Sequence, residues 1–237
     1  MNNDIRVFYK KTKLDKPVLK KNKNVPITSI KVFHKEYPRL NKVTLPKIKL
    51  SGEFMRLLKT RKSIRLFSKE NLTLTEISKV LSSCRIVSRK GDFERRTYPS
   101  GGDRFPVELY IICFKVKGLE NGVFHYNFKN NSLEALLIKN LSNKTDYITS
   151  NELKNPSAAI VLTSVMSRDD VKYGVKAYPL SLIEAGLITQ NLQLACVKNE
   201  IGSCPILGFT NDYLSEILDL TNEEIPLLVI GLGNIKK

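Results

Sequence analysis

The 237-residue sequence holds only two histidines, His34 and His125, and four cysteines, Cys84, Cys113, Cys196 and Cys204. The cysteines are too scattered for a disulfide framework and form no Cys-x-x-Cys pair, so little material exists for a metal site. No stretch approaches the roughly 20 apolar residues of a membrane-spanning helix. The start, MNNDIRVFYK, lacks the basic-then-apolar layout of a secretory signal. These absences set the expectation of a soluble, reduced, cytoplasmic protein with no metal and no transmembrane segment.

Negative charge is also scarce: 23 Asp/Glu face 39 Lys/Arg, a net charge of +16. The imbalance is local. Residues 1–50 carry 14 cations against 3 anions, leaving only +5 for the remainder. Such a segment suits nucleic acid, acidic lipid or an acidic peptide. Lys outnumbers Arg 28 to 11, however, whereas nucleic-acid interfaces favour Arg and interleaved aromatics. Nucleic acid is therefore not the expected partner. At 42% apolar and 26% charged residues the chain has the composition of a folded domain, and at this length a fold buries roughly 70% of the unfolded surface.

Two regions are expected. Residues 1–49 read as a basic extension, because Pro17, Pro26, Pro38 and Pro46 forbid a long helix there; Ile27–Phe33 is a β-like piece within it. Residues 50–237 read as one domain. Ser51 is placed to cap a helix through about Thr60, with Phe54, Leu57 and Leu58 on one face. Thr73 and Glu76 make a capping box ahead of Ile77, Val80, Leu81 and Cys84. Val107–Val116, Ala158–Val165 and Pro226–Leu232 read as buried strands, and 122–137 as a hairpin turning at Lys129-Asn130-Asn131. Leu180–Val197 is a helix apolar nearly all round, hence buried or at a subunit interface, and Gly186 within it implies close backbone packing. Tyr213–Leu218 is a short helix. Strands and helices do not alternate regularly, which gives an α+β fold around a central sheet.

Several short segments carry chemistry. Arg61-Lys62-Ser63-Ile64-Arg65 gathers three cations and a hydroxyl suited to an anion, although most such runs are solvated faces. Pro99-Ser100-Gly101-Gly102 exposes backbone N–H groups with little side chain in the way, or is an ordinary turn. Gly202–Phe209 reads as a second loop of this kind; its Cys204 lacks a dedicated base and suits a buried position better than a nucleophile. Lys172-Tyr173 lies in a polar stretch before the long helix, where Arg168 and Lys176 are neighbours able to lower the pKa of a lysine base.

In their order, the segments RKSIRLF, LTLTEISKVL, RRTYPSGGDRFPVELYI, GLENGVFHYN, KYGVKAYPLSLIEAGLITQNLQLA and SCPILGF resemble the nitroreductase-like flavoproteins, and within them the SagB-type azoline dehydrogenases. The likeness covers about residues 50–235, with YPRLNKVTLPKI similar to the subfamily's entry segment. It implies an α+β homodimer with two FMN sites at the subunit interface. It also implies that Arg61, Lys62, Ser63 and Arg65 cradle phosphate and ribityl groups. Pro99, Ser100, Gly101 and Gly102 would then approach the flavin ring, with Cys204, Pro205, Ile206 and Gly208 over its other side and Glu184, Gln190 and Asn191 on the central helix.

Lys172 and Tyr173 match the pair tied to proton removal when a thiazoline or oxazoline in a ribosomal peptide becomes an azole beside a cyclodehydratase. FMN takes the hydride and oxygen reoxidises the flavin. Asp103-Arg104, Pro179 and Leu207 depart from the subfamily pattern. Two other readings remain open: a flavin reductase acting on a nitro, quinone or dehydroamino-acid substrate, and a non-enzymatic binding protein using its basic arm.

Overall fold

The computed structural model describes residues 1–17, 34–49, 51–91, 93–149 and 153–236. The β-like piece at Ile27–Phe33 lies outside them. In chain order, α1 (Asn3–Thr12) and α2 (Glu53–Thr60) precede β1 (Leu72–Thr73) and α3 (Leu74–Leu81). A hairpin, β2 (Ile86–Lys90) and β3 (Phe93–Arg96), leads to β4 (Val107–Cys113), β5 (Val116–Lys117), β6 (Gly122–Asn127) and β7 (Ser132–Ile138). Then come α4 (Thr145–Thr149), β8 (Ala158–Val165), α5 (Ser167–Tyr173), α6 (Ala177–Lys198), β9 (Ile201–Ile206), α7 (Asn211–Ile217) and β10 (Glu224–Asn234).

The central sheet has six strands in the order β7-β6-β4-β8-β10-β9, every neighbouring pair antiparallel. Successive side chains of a strand face opposite ways, and β4 is apolar on both. Leu109 and Ile111 join Ile160, Leu162, Ile188 and Leu192 in one core, while Tyr110 and Ile112 join Val161, Leu214 and Val229 in the other. The sheet is thus covered on both faces, by α3 and α6 on one side and α7 on the other. This is the expected α+β architecture.

Local signals account for several boundaries. Glu76 Oε2 accepts from the Thr73 N–H at 2.7 Å while Thr73 Oγ1 accepts from the Glu76 N–H at 3.2 Å, completing the capping box of α3. The hairpin of β6 and β7 turns at Asn131, which takes a left-handed φ of 50° that Asn tolerates.

Four expectations change. α2 is capped by Gly52 with no side-chain hydrogen bond, not by Ser51. β4 stops at Cys113, and Val116–Lys117 leaves the sheet to pair in parallel with Leu72–Thr73. The segment read as a loop after the long helix is the edge strand β9 through Ile206; Pro205 fits there because an edge strand leaves one row of N–H groups unused. Part of the expected extension is helical, since α1 ends before the first proline. Asn2 caps it, Ile5 enters the core, and Phe8 meets Tyr178 edge-on at 5.6 Å. Residues 34–49 are exposed throughout.

By length and composition alone, Ser167–Lys198 passes as a membrane-spanning stretch, a test that the core helix of a soluble protein also passes; 44% of its apolar window is buried in this chain. Within α6, Glu184, Ala185, Ile188, Leu192 and Cys196 are buried, whereas Leu182, Ile183 and Leu187 are exposed. Gly186 lies on the exposed side, and a Cβ there would meet nothing within 4 Å. The close packing that this glycine implied is not made among the described residues.

Candidate active site

β8 delivers the chain into α5, whose first turn holds Asp169 and Asp170 and whose last holds Lys172. That placement suits the helix dipole, with anions at the N-terminal end and a cation at the C-terminal end. Gly174 ends the helix with φ 53°. Lys172 Nζ lies 5.2 Å from the centre of the Tyr173 ring. Both side chains close on the Pro99–Gly102 turn. A Cβ built on Gly102 would stand 2.6 Å from Tyr173 Oη and 2.8 Å from Lys172 Nζ, and the residue has φ 63°. The left-handed φ favours glycine, and any side chain there would have to displace the ends of Lys172 and Tyr173. A Cβ built on Gly101 would stand in ordinary contact with Leu180 of α6 at 3.8 Å.

The turn is held by its own atoms and by α6. Ser100 C=O accepts from the Asp103 N–H at 3.3 Å, and Ser100 Oγ accepts from the Phe105 N–H at 2.9 Å. Asn191 donates through Nδ2 to Thr97 C=O at 3.1 Å, which ties the central helix to the approach of the turn. Glu184 is 3% exposed. Burial pushes its carboxyl up to about 7, against hydrogen bonds from Ser100 and the Val107 N–H that favour the charged form. Gln190, on the same helix, is half-buried.

Arg96, which the sequence reading passed over, has Arg168 and His125 as its companions in a further set of contacts. Arg96 lies 4.4 Å from the centre of the Phe105 ring and 4.1 Å from that of Phe128, and donates to Tyr98 Oη at 2.9 Å and Glu94 at 2.7 Å. Arg168 pairs with Glu108 at 2.6 Å and donates to Phe105 C=O at 2.8 Å. His125 sits between Glu108 at 3.2 Å and Glu134 at 2.9 Å, and the Glu108 hydrogen bond raises its pKa. No local motif marks these contacts, because β3, β4, β6 and α5 meet only in three dimensions.

A second group of residues lies at the sheet edge. The Ile64 N–H donates to Ser203 C=O at 2.9 Å, and Ile64 packs with Phe67 and Cys204. The Arg61–Arg65 segment and β9 are therefore neighbours. Arg61 is half-buried, while Lys62, Ser63 and Arg65 are exposed. A cavity of about 510 Å³ is lined by Lys62, Ile64 and Ser203, and by Arg56, Glu76 and Asn199 among others; Arg61, Ser63 and Arg65 are not among its walls. Cys204 is fully buried, a packing position. Pro205 and Ile206 are half-buried, as is Gly208 beyond the exposed Leu207.

A Gly-Gly turn pressed onto a Lys-Tyr pair, a cation-hydroxyl segment beside an edge strand and a long apolar helix between sheet and surface form the pattern that the motif order implied. The family model for the "Nitroreductase family" matches residues 58–234. The chain belongs to the nitroreductase family. It is 27% identical over 175 residues to MJ1384 of Methanocaldococcus jannaschii, named as a nitroreductase, a match that covers 73% of this chain and 86% of that protein. It is 26% identical over 181 residues to the microcin B17-processing protein McbC of Escherichia coli, covering 73% of this chain and 66% of McbC. Among solved structures, a chain of the E. coli microcin synthetase McbBCD complex, with truncated pro-MccB17 bound, superposes with a TM-score of 0.76 at 21% identity, over 99% of this chain and 92% of that one. This member of the nitroreductase family is thus an oxidoreductase by class and falls with the SagB/McbC-type proteins.

Proposed function

We propose that this nitroreductase-family chain is an FMN-dependent dehydrogenase that oxidises an azoline in a ribosomally made peptide to the thiazole or oxazole, working as a homodimer beside a cyclodehydratase. The observation that carries the reading is the closure of Gly102 onto Lys172 and Tyr173. Reduction of a nitro group or quinone draws on the flavin and needs no protein base against a carbon acid, whereas aromatising an azoline removes a proton and a hydride from adjacent ring carbons. The similarity to McbC, which processes microcin B17, supports a peptide substrate.

The residues present fit the cofactor's chemistry. The Gly101-Gly102 turn offers backbone N–H groups without side-chain bulk, and the exposed Ser63 and Arg65 with half-buried Arg61 are donors for a phosphate and a ribityl chain. Bound FMN supplies the acceptor for the hydride. Lys172 Nζ takes the proton from the ring carbon, Tyr173 Oη orients that ammonium and shares its charge, and the Pro99–Gly102 turn keeps both against the site. Breaking the two C–H bonds leaves the ring C=C bond of the azole.

The test starts from the absorbance spectrum of the purified protein and the flavin released on denaturation. FMN at about one per chain, with oxidation of a synthetic thiazoline peptide that Lys172→Ala reduces by about two orders of magnitude or more while keeping FMN bound, is the expected result. Full turnover in Lys172→Ala removes the base. A colourless protein that takes up no added FMN removes the reading altogether.

A further inference from the structure

Phe105 takes a left-handed φ of 45°, uncommon for a bulky side chain and sustained only where the surroundings over-determine it. Every part of the residue is held. It is 6% exposed; its ring meets Tyr98 edge-on at 6.0 Å and lies 4.4 Å from the Arg96 guanidinium. Its N–H donates to Ser100 Oγ at 2.9 Å, and the Asp103 N–H donates to Ser100 C=O at 3.3 Å. Residues 100 to 105 therefore form one closed unit, and Gly102 moves with it. The last free group of Phe105, its C=O, accepts from Arg168 Nη1 at 2.8 Å.

Of these holders only Arg168 stands on α5, four residues before Lys172 and so one helical turn along the same face. The tie runs in both directions. Arg168 donates to the turn at Phe105, and its own C=O accepts from Arg104 Nε, one residue earlier in the turn. The same Nη1 lies 2.6 Å from Glu108 Oε1 on β4, so a carboxylate of the central sheet fixes where the guanidinium points. A charged donor bonds a carbonyl more strongly than a neutral one, and the planar guanidinium serves two acceptors at set angles.

We propose that Arg168 is a positioning residue of this site: by holding the Phe105 carbonyl against α5 it fixes the Ser100–Phe105 unit, and Gly102 with it, relative to Lys172 and Tyr173. Its guanidinium is spent on Phe105 and Glu108 and takes no proton from substrate. The inference rests on Lys172 and Tyr173 being the working pair, but its first test needs neither flavin nor substrate.

That test is amide hydrogen exchange in the free chain. Arg168→Ala is expected to speed exchange at Asp103, Phe105 and Gly174, the residue that ends α5, by about tenfold or more, with Ile160–Leu162 of β8 unchanged. Glu108→Gln keeps the shape of its side chain, removes the counter-charge and moves the same amides by a smaller factor; it carries the test if Arg168→Ala does not fold. With a thiazoline peptide, Arg168→Ala lowers kcat about ten- to a hundredfold and leaves KM nearly unchanged. Arg168 is 40% exposed, so guanidinium ion, well below the molar concentrations that unfold proteins, should reach the vacated place and restore part of kcat, whereas urea, of the same shape without the charge, should not. Wild-type exchange at the turn in both variants overturns the proposal, as does acceleration in β8 equal to that in the turn. A lost kcat that guanidinium does not recover more than urea overturns it too. Exchange that responds while no azoline peptide is oxidised keeps Arg168 as the tie and removes the substrate reading.

Discussion

At the scale of single residues the sharpest consequence concerns Glu184. An ordinary glutamate titrates near 4.5, and burial lifts this one to about 7. Between those values the folded chain keeps a proton that the unfolded chain has released. Stability from this group is complete below about 4.5, falls as pH rises, and is fully lost above about 7. At about 1.4 kcal/mol per pH unit the loss is on the order of 3 kcal/mol. His125, raised by Glu108, also loses stability with rising pH, though its window opens at the ordinary histidine value of 6.5. Urea unfolding of wild type and Glu184→Gln between pH 4.5 and 7.5 separates the two. The two proteins should start close in stability at the acid end, and the wild type should fall below Glu184→Gln by a few kcal/mol across the carboxylate window, the gap staying level above it. A constant difference would mean that Glu184 is ionised throughout. The thiols show the same physics without a role in the site: burial pushes Cys84 and Cys196 up to about 12, which keeps them protonated.

At the scale of elements, what was legible in the sequence depended on whether the signal was local. The capping box of α3, the hairpin at Asn131 and β8 came through because a few adjacent residues specify them. β9 did not, because Gly202 and Pro205 carry loop chemistry and only a position at the sheet edge makes a strand of them. α1 was hidden by the prolines that follow it and by its charge; its one buried residue, Ile5, signals nothing until the core it enters is in place. The site divided in the same way. Its glycines and the Lys-Tyr pair are readable as motifs, while the buried acids Asp169 and Glu184 lie apart on α5 and α6 with no motif to mark them. Gly102→Ala tests the junction. The methyl group would meet Tyr173 Oη and Lys172 Nζ under 3.0 Å, and the φ of 63° adds a penalty of about 1–2 kcal/mol. The ends of two flexible side chains can give way, so the variant should fold with a lowered Tm but lose most azoline oxidation. Retention of both properties would show that the turn does not set the position of the pair.

For the whole molecule, the unresolved term is a surface that this chain alone does not bury. α6 spends one side on the sheet and presents Leu182, Ile183 and Leu187 outward at 41%, 62% and 40% exposure. Nearby in sequence to α2, the extended segment 34–49 exposes Leu40, Val43, Leu45 and Ile48, and Phe54 on α2 is 64% exposed. Apolar side chains left exposed together on one helix face mark an interface, and the open Gly186 among those of α6 permits close helix approach. A second copy of the chain is the occupant that the family resemblance implies. Sedimentation should therefore give twice the 26.9 kDa chain mass. Ile183→Asp together with Leu187→Asp should yield folded monomers, since both side chains lie outside the cores and their loss opens no cavity. Because each flavin site is expected to take residues from both subunits, those monomers should also lose FMN while their far-ultraviolet dichroism is unchanged. Monomers that still hold one FMN per chain would place the whole cradle within a single chain, and the exposed face of α6 would then belong to a different partner.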